Sequence, residues 1–489
     1  SRFTIGSLET LKGDVRADLM EFFADHYSAD QMGLVVLANQ SLDELEALVT
    51  PLFNKVRNVD IGSSFPTEPV FSDQQLPAVL TSQTLKETYG LAFNFPIPST
   101  LEVYRNKPEQ YLSNLIGHEG EGSLYQLLNA KGWIESLGAG SQDFDRNTSL
   151  LTVNIQLTEA GRDHIEEITD LLFQYLDMLR AQPPKDWLYQ EQARVAELAF
   201  RFQEKGSTAG FVYQMAPKLD LFPAEDLLVA PYLMEAFDPA LIEKFLGHLR
   251  PDNVLLEITA PDSTTDQVER WFEVPFALKQ APLKRQTVAD APLRLPEVNP
   301  YLPEQLDLVT ADEQIMRRLI DQPELKLWLD TDIEFGTPRA NMTVGLLTQT
   351  GFLSASNQAQ AQLYQDLVND SLSATVYPAY LAGLGYSIAV ADSGFAISVN
   401  GYQDKQMALL NTVTQRLFSA DISAERFATV KRSLIKDWRN SLKDKPYVQA
   451  LGALGDTLLS GSWPATDLAD ALEPITLEAL LQWRSQQLK

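Results

Sequence analysis

The chain has 489 residues, more than one ordinary hydrophobic core organises, so two or three domains are expected. Its 66 acidic against 39 basic side chains give a formal net charge of −27, which argues against nucleic acid or an anionic membrane surface as a partner. It has no cysteine, which excludes disulfides, thiol catalysis and cysteine-ligated metals, and no apolar run approaches the roughly 18 residues of a transmembrane helix.

From the N-terminus, Ser1–Gly6 carries no signal-peptide pattern. Residues 19–38 read as a helix, a turn and a buried strand, Met32 to Leu37. Ser41-Leu42-Asp43-Glu44 then forms a capping-box pattern that opens a helix over Leu45 to Phe53. Leu91, Phe93 and Phe95 alternate with other residues as a strand does.

Between Asn114 and Ser141, two glycine-flanked turns bracket an amphipathic helix. His118-Glu119-Gly120-Glu121-Gly122-Ser123 opens it, Leu124, Leu127 and Leu128 mark its apolar face, and Lys131-Gly132-Trp133 closes it. Glu135 to Gly140 follows as a short extended segment of small residues. Leu151, Val153, Ile155 and Leu157 predict a half-buried strand, and Ile165, Ile168, Leu172, Tyr175, Leu176 and Leu179 line one face of the next helix.

Residues 241–260 align without a gap on 19–38, at an offset of 241 − 19 = 222. Leu19, Glu21, Phe23, His26, Asp30, Leu34 and Ala38 meet Leu241, Glu243, Phe245, His248, Asp252, Leu256 and Ala260. By analogy with the first copy, Val268 to Phe272 is expected to be helical. Residues 273–314 are rich in proline and read as a semi-rigid linker. Beyond them, Met342-Val344-Leu346 and Phe395-Ile397-Val399 repeat the earlier strands. Met407, Leu410, Val413 and Leu417 repeat the helix, and Leu477 to Trp483 form a last one.

The repeats predict an α+β fold of recurring units, each an antiparallel-rich sheet with helices packed on one face. The expected division is 1–62 as the closing part of one unit, 67–272 as a complete unit, 273–314 as linker and 315–489 as a truncated third unit. The pattern looks cut at both ends, and self-association through exposed sheet edges is expected.

Four histidines are present, His26, His118, His164 and His248, and none lies within ten residues of another. Zinc sites bring ligands together at short spacing, as in H-x-x-E-H, and His164 is followed only by Ile165-Glu166-Glu167-Ile168. No metal site and no catalytic residue is expected in this chain. The pairs Glu119/Glu121 and Glu166/Glu167 read as solvated faces.

The run from Asn114 to Ser141 resembles the second domain of the pitrilysin/insulysin family of inverzincin metallopeptidases. Leu157-Thr158-Glu159-Ala160-Gly161, Phe173-Gln174-Tyr175, Ala199-Phe200-Arg201-Phe202, Ala382-Gly383-Leu384-Gly385-Tyr386 and Gly401-Tyr402-Gln403-Asp404-Lys405 extend the resemblance over essentially the whole chain. It implies a fragment of a zinc-dependent endopeptidase for short and medium peptides, with zinc held in the parent and none here. Within that reading 1–62 is the end of the catalytic domain, and this chain supplies chamber wall, linker and the strand that anchors the substrate's N-terminal end. The implied substrate-binding residues are His118, Gly120, Gly122, Leu137, Gly138, Ala139 and Gly140, with Ser136 to Ser141 accepting a peptide by β-augmentation. The alternative is a non-catalytic homologue that binds peptides or serves assembly. The expected compartment is a bacterial periplasm, ahead of the cytosol.

Overall fold

The structure is a computed structural model. It describes residues 12–488 apart from 63–69, 73–74, 205, 309–315, 335, 349–353, 392 and 460. Two helices, α1 (Val15–His26) and α2 (Leu42–Phe53), come first, and the capping box on Ser41 and Glu44 is formed. Met32 to Leu37 is not a strand: no described residue pairs with it, and Met32, Leu34, Val36 and Leu37 are exposed. Apolar β-branched residues favour an extended backbone, but a strand persists only with a neighbour to share its hydrogen bonds.

Seven strands then form one sheet: β1 (Ala78–Ser82), β2 (Tyr89–Pro98), β3 (Ile134–Asp143), β4 (Thr148–Leu157), β5 (Leu255–Thr259), β6 (Gln267–Val268) and β7 (Pro275–Gln280). Their spatial order is β3-β4-β2-β5-β1-β7-β6, antiparallel throughout except between β1 and β5. The period of two in the sequence decides the faces. Tyr89, Leu91, Phe93, Phe95 and Ile97 of β2 and Leu151, Val153, Ile155 and Leu157 of β4 are buried on one side. Against that side pack α3 (Pro108–Ile116), α4 (Leu124–Ala130), α5 (Ile165–Arg180), α6 (Asp186–Arg201) and, after the short α7 (Thr208–Met215), α8 (Pro239–Leu246).

The expected helix over Val268 to Phe272 is instead the turn of a hairpin. Glu269 accepts N–H bonds from Trp271 and Phe272 through its carboxylate and donates its own N–H to Val274 O, which returns the chain into β7. The sheet thus continues into the proline-rich stretch, since β7 pairs with β1. Farther on, Leu283, Val288, Ala291, Leu293 and Leu295 pack on the first core.

A hairpin of β8 (Arg317–Asp321) and β9 (Lys326–Leu329) leads to a second sheet of β10 (Arg339–Leu347), β12 (Gly394–Tyr402) and β11 (Gly385–Ala391), in that order. Its core is completed by α9 (Ala355–Leu381), α10 (Gln406–Ser419) and α11 (Ala424–Asn440), and, past the exposed α12 (Pro446–Leu458), by α13 (Ala465–Leu472) and α14 (Leu477–Gln487). The expected unit boundaries at 67 and 315 lie outside the described residues.

The two halves touch through polar side chains. Glu135 accepts from Lys436 (2.6 Å) and Ser433 (3.1 Å), Arg426 binds both Asp370 and the Asn129 carbonyl, and Tyr377 Oη donates to Gly117 O (3.1 Å).

One glycine fixes where the edge strand β3 begins. A Cβ on Gly161 would lie 1.9 Å from the carbonyl oxygen of Trp133, the residue preceding β3. Gly161→Ala is therefore expected to cost about 2 kcal/mol or more, read as a clear fall in melting temperature. Gly452→Ala, in an open part of α12, should leave the melt unchanged or raise it slightly. An unaltered Gly161→Ala melt would show that the Trp133 backbone yields.

Candidate functional site

Antiparallel strands turn their backbone groups alternately toward each neighbour. Phe144 N donates to Thr148 O just beyond the ladder, and Thr158 N to Trp133 O at its other end. Counting inward, with one irregularity at Glu135, the bonds from β3 to β4 fall on Ser136, Gly138, Gly140 and Gln142. The N–H and C=O groups of Leu137, Ala139 and Ser141 therefore point away from β4. Among the described residues no strand takes them, because β3 is the edge of the sheet.

Beside that edge lies a groove of about 430 Å³. The Leu137–Ser141 stretch forms one side, and α3 with Glu119, Tyr377 and Tyr380 forms the rest. Leu137 is buried beneath the strand, whereas Gly138 and Gly140 face open space, with nothing within 4 Å of an added Cβ. Gly117 lets α3 approach: a Cβ there would sit 3.0 Å from Ala139 N and cover one of the outward N–H groups.

The predicted residues do not all meet in this groove. His118 is buried, its Nδ1 accepts the Gly120 N–H (2.9 Å), and its ring stands edge-on to Tyr377 at 4.8 Å. Burial pushes its imidazole down to about 4, so it is neutral near pH 7. His118 and Gly120 face a separate cavity of about 650 Å³, enclosed by α6, α9 and residues 294–302. Gly122, at φ +81°, is closed over by Arg294, whose N–H donates to Gly122 O. The turn presents Ser123 as N-cap of α4, accepting from Gln126 N.

Glu119 is not on a solvated face. It is half-buried in the groove, burial raises its carboxyl pKa, and among the described residues it has no hydrogen-bond or ion-pair partner. Glu109 is deeper still: it is 7% exposed, Oε2 has no hydrogen-bond partner among the described residues, and burial pushes the carboxyl up to about 7. Ser113 Oγ, one helical turn on, is also buried with no hydrogen-bond partner among the described residues. Neither signal was readable from the sequence, where both positions look like the polar side of α3. Of the other acidic pair, Glu167 binds His164, and Glu166 is a loose partner of Lys284 at 3.9 Å.

Zinc, which the family resemblance implies, does not fit these residues. His118 is committed to Gly120 and Tyr377, His164 to Glu167 and the Trp133 ring, and His26 lies against Phe22. Among the described residues no group of three or more metal-ligating side chains converges. No described helix is long and apolar enough to cross a membrane.

Glu109 gives a pH-dependent stability. Its carboxyl ionises near 4.5 when unfolded and near 7 in the fold, so the native state holds the proton more tightly and stability falls as pH rises through that window. The full cost is about 3 kcal/mol. Glu109→Gln should raise the melting temperature at pH 8 and leave it little changed at pH 4.5. An equal effect at both pH values would show that ionisation is not the cause.

Comparison with known proteins bears on the whole chain. A family model described as "Peptidase M16 inactive domain" matches residues 14–195, and one described as "Middle or third domain of peptidase M16" matches 200–471. Insulin-degrading enzyme of Homo sapiens is 32% identical over 492 residues, covering 98% of this chain and 48% of that protein. The peroxisomal insulin-degrading enzyme-like 1 of Arabidopsis thaliana is 31% identical over 494 residues, covering 98% and 51%. The crystal structure of pitrilysin superposes with a TM-score of 0.68 at 23% identity, over 99% of this chain and 53% of that one. The chain spans about half the length of the curated relatives it matches.

Proposed function

This chain belongs to the peptidase M16 family, and we propose that it supplies the surface on which the peptide substrates of a zinc metalloendopeptidase are held by their N-terminal ends. The observation that carries this is the unpaired edge of β3, with the backbones of Leu137, Ala139 and Ser141 turned into a groove that ends in an unpartnered carboxylate.

A peptide added along β3 exchanges main-chain hydrogen bonds with those three residues, which gives affinity with little sequence preference. Gly138 and Gly140 keep the open face of the strand clear. Glu119 takes the terminal ammonium. Burial raises its pKa, and an arriving cation restores the ionised form. Tyr377 and Tyr380 wall the groove on the side of the second half, so binding is sensitive to how the two halves pack. Peptide-bond hydrolysis belongs, in this reading, to residues outside this chain, since no group of three or more metal-ligating side chains converges among the described residues.

The test is equilibrium binding of a C-terminally labelled peptide to the 489-residue chain, with its amine free or acetylated. The free amine should bind about tenfold or more tighter, and Glu119→Gln should abolish the difference. Ser141→Pro removes an outward donor and no ladder bond, so it should fold normally and weaken both peptides about tenfold. A folded Ser141→Pro variant with unchanged affinity would overturn the edge as the binding element.

A further inference from the structure

The groove contains more than the proposed amine anchor. Helix α3 and strand β3 run side by side in opposite directions: Gly117 sits at Ala139, and Asp143 is close enough to raise the Glu109 carboxyl. The spacings agree. Eight residues of helix from Gly117 back to Glu109 cover about 12 Å, and four residues of strand from Ala139 to Asp143 about 13 Å. A peptide that leaves its amine near Glu119 and follows β3 toward Asp143 therefore passes Ser113 and then Glu109.

Of the side chains lining the groove, these are the two with a buried polar atom that lacks a hydrogen-bond partner among the described residues. Glu109 and Ser113, 7% and 8% exposed, line one side of the groove with acceptors at Oε2 and Oγ, and among the described residues no lysine or arginine lines it. Lys107 does not neutralise Glu109 by contact, because its ammonium donates instead to the carbonyls of Ala230 (2.8 Å) and Pro231 (2.6 Å). Burying an acceptor without a donor is costly, and burying a carboxylate more so.

We propose that Glu109 and Ser113 form a second subsite, which takes a basic side chain of the peptide lying along β3 and so makes the groove selective for peptides with a lysine or arginine a few residues from the N-terminus. The inference rests on β3 being the peptide-binding edge. In an added strand alternate side chains point to the α3 side, so a single position should serve. Its ammonium or guanidinium donates to Glu109 Oε2 and Ser113 Oγ, and a long aliphatic stem spans the groove. Burial raises the Glu109 carboxyl, and a cation bound beside it would offset that cost.

The experiment is a scan of lysine against norleucine, the same stem without the charge, at positions two to six of an otherwise neutral free-amine peptide binding to the whole chain. One position should prefer lysine by about tenfold or more. Glu109→Gln should shrink that preference to within about twofold, whereas Glu119→Gln should weaken the lysine and norleucine peptides alike. Ser113→Ala gives a second variant should Glu109→Gln alter the fold, and it should reduce the preference in part. Binding without a lysine preference at any position overturns the subsite and leaves the edge reading intact. A preference that survives Glu109→Gln in a folded protein overturns the assignment to Glu109. Failure of every peptide to bind overturns the edge reading and the subsite together.

Discussion

Every inner strand of a sheet satisfies its backbone on two sides, and β3 satisfies its own on one. That imbalance organises the rest of the site. Its ladder with β4 is set by the alternation of Leu151, Val153, Ile155 and Leu157, because sliding by one residue would turn these side chains out of the core. With register fixed, the outward backbone groups must be those of Leu137, Ala139 and Ser141. Gly161 holds the start of the strand through Trp133, and Gly117 brings α3 close without covering Ala139.

The groove exists because the two halves of the chain meet. Tyr377 and Tyr380 come from α9, more than two hundred residues beyond β3, and Tyr377 is tied to Gly117 by a hydrogen bond. The contacts that hold the halves there are polar: Glu135 with Lys436 and Ser433, and Arg426 bridging Asp370 and Asn129. Polar interfaces of this kind permit relative motion more readily than apolar ones. The width of the groove is thus set by residues that touch no peptide.

Much of the fold could be read from the sequence where periodicity carried the information. The strands around Leu91–Phe95, Leu151–Leu157 and Phe395–Val399 and the capped helices after Ser41 and Ser123 formed as their patterns require. Reading failed where a tertiary partner decided. Met32–Leu37 has strand composition but no described strand beside it, and Val268–Phe272 matches a repeat in sequence although Glu269 closes a hairpin there. In the site, Leu137 to Gly140 were visible as a run of small residues. The glycines at 120 and 122 were visible as glycines, but the His118 ring and Arg294, which explain them, were not. Glu109 and Ser113 carry no sequence signal, and Glu119 reads as solvated, because a polar group on a helix face or in a turn looks exposed until the opposite wall is known.

The central claim is that β3 pairs with a peptide through its main chain, and residue-resolved amide hydrogen exchange tests it most directly. Gly138 and Gly140, already bonded to β4, should be protected with or without peptide, whereas Ala139 and Ser141 should exchange readily in the free chain and become protected when a free-amine peptide is added. Protection that appears elsewhere, with Ala139 and Ser141 unchanged at saturating peptide, would contradict it.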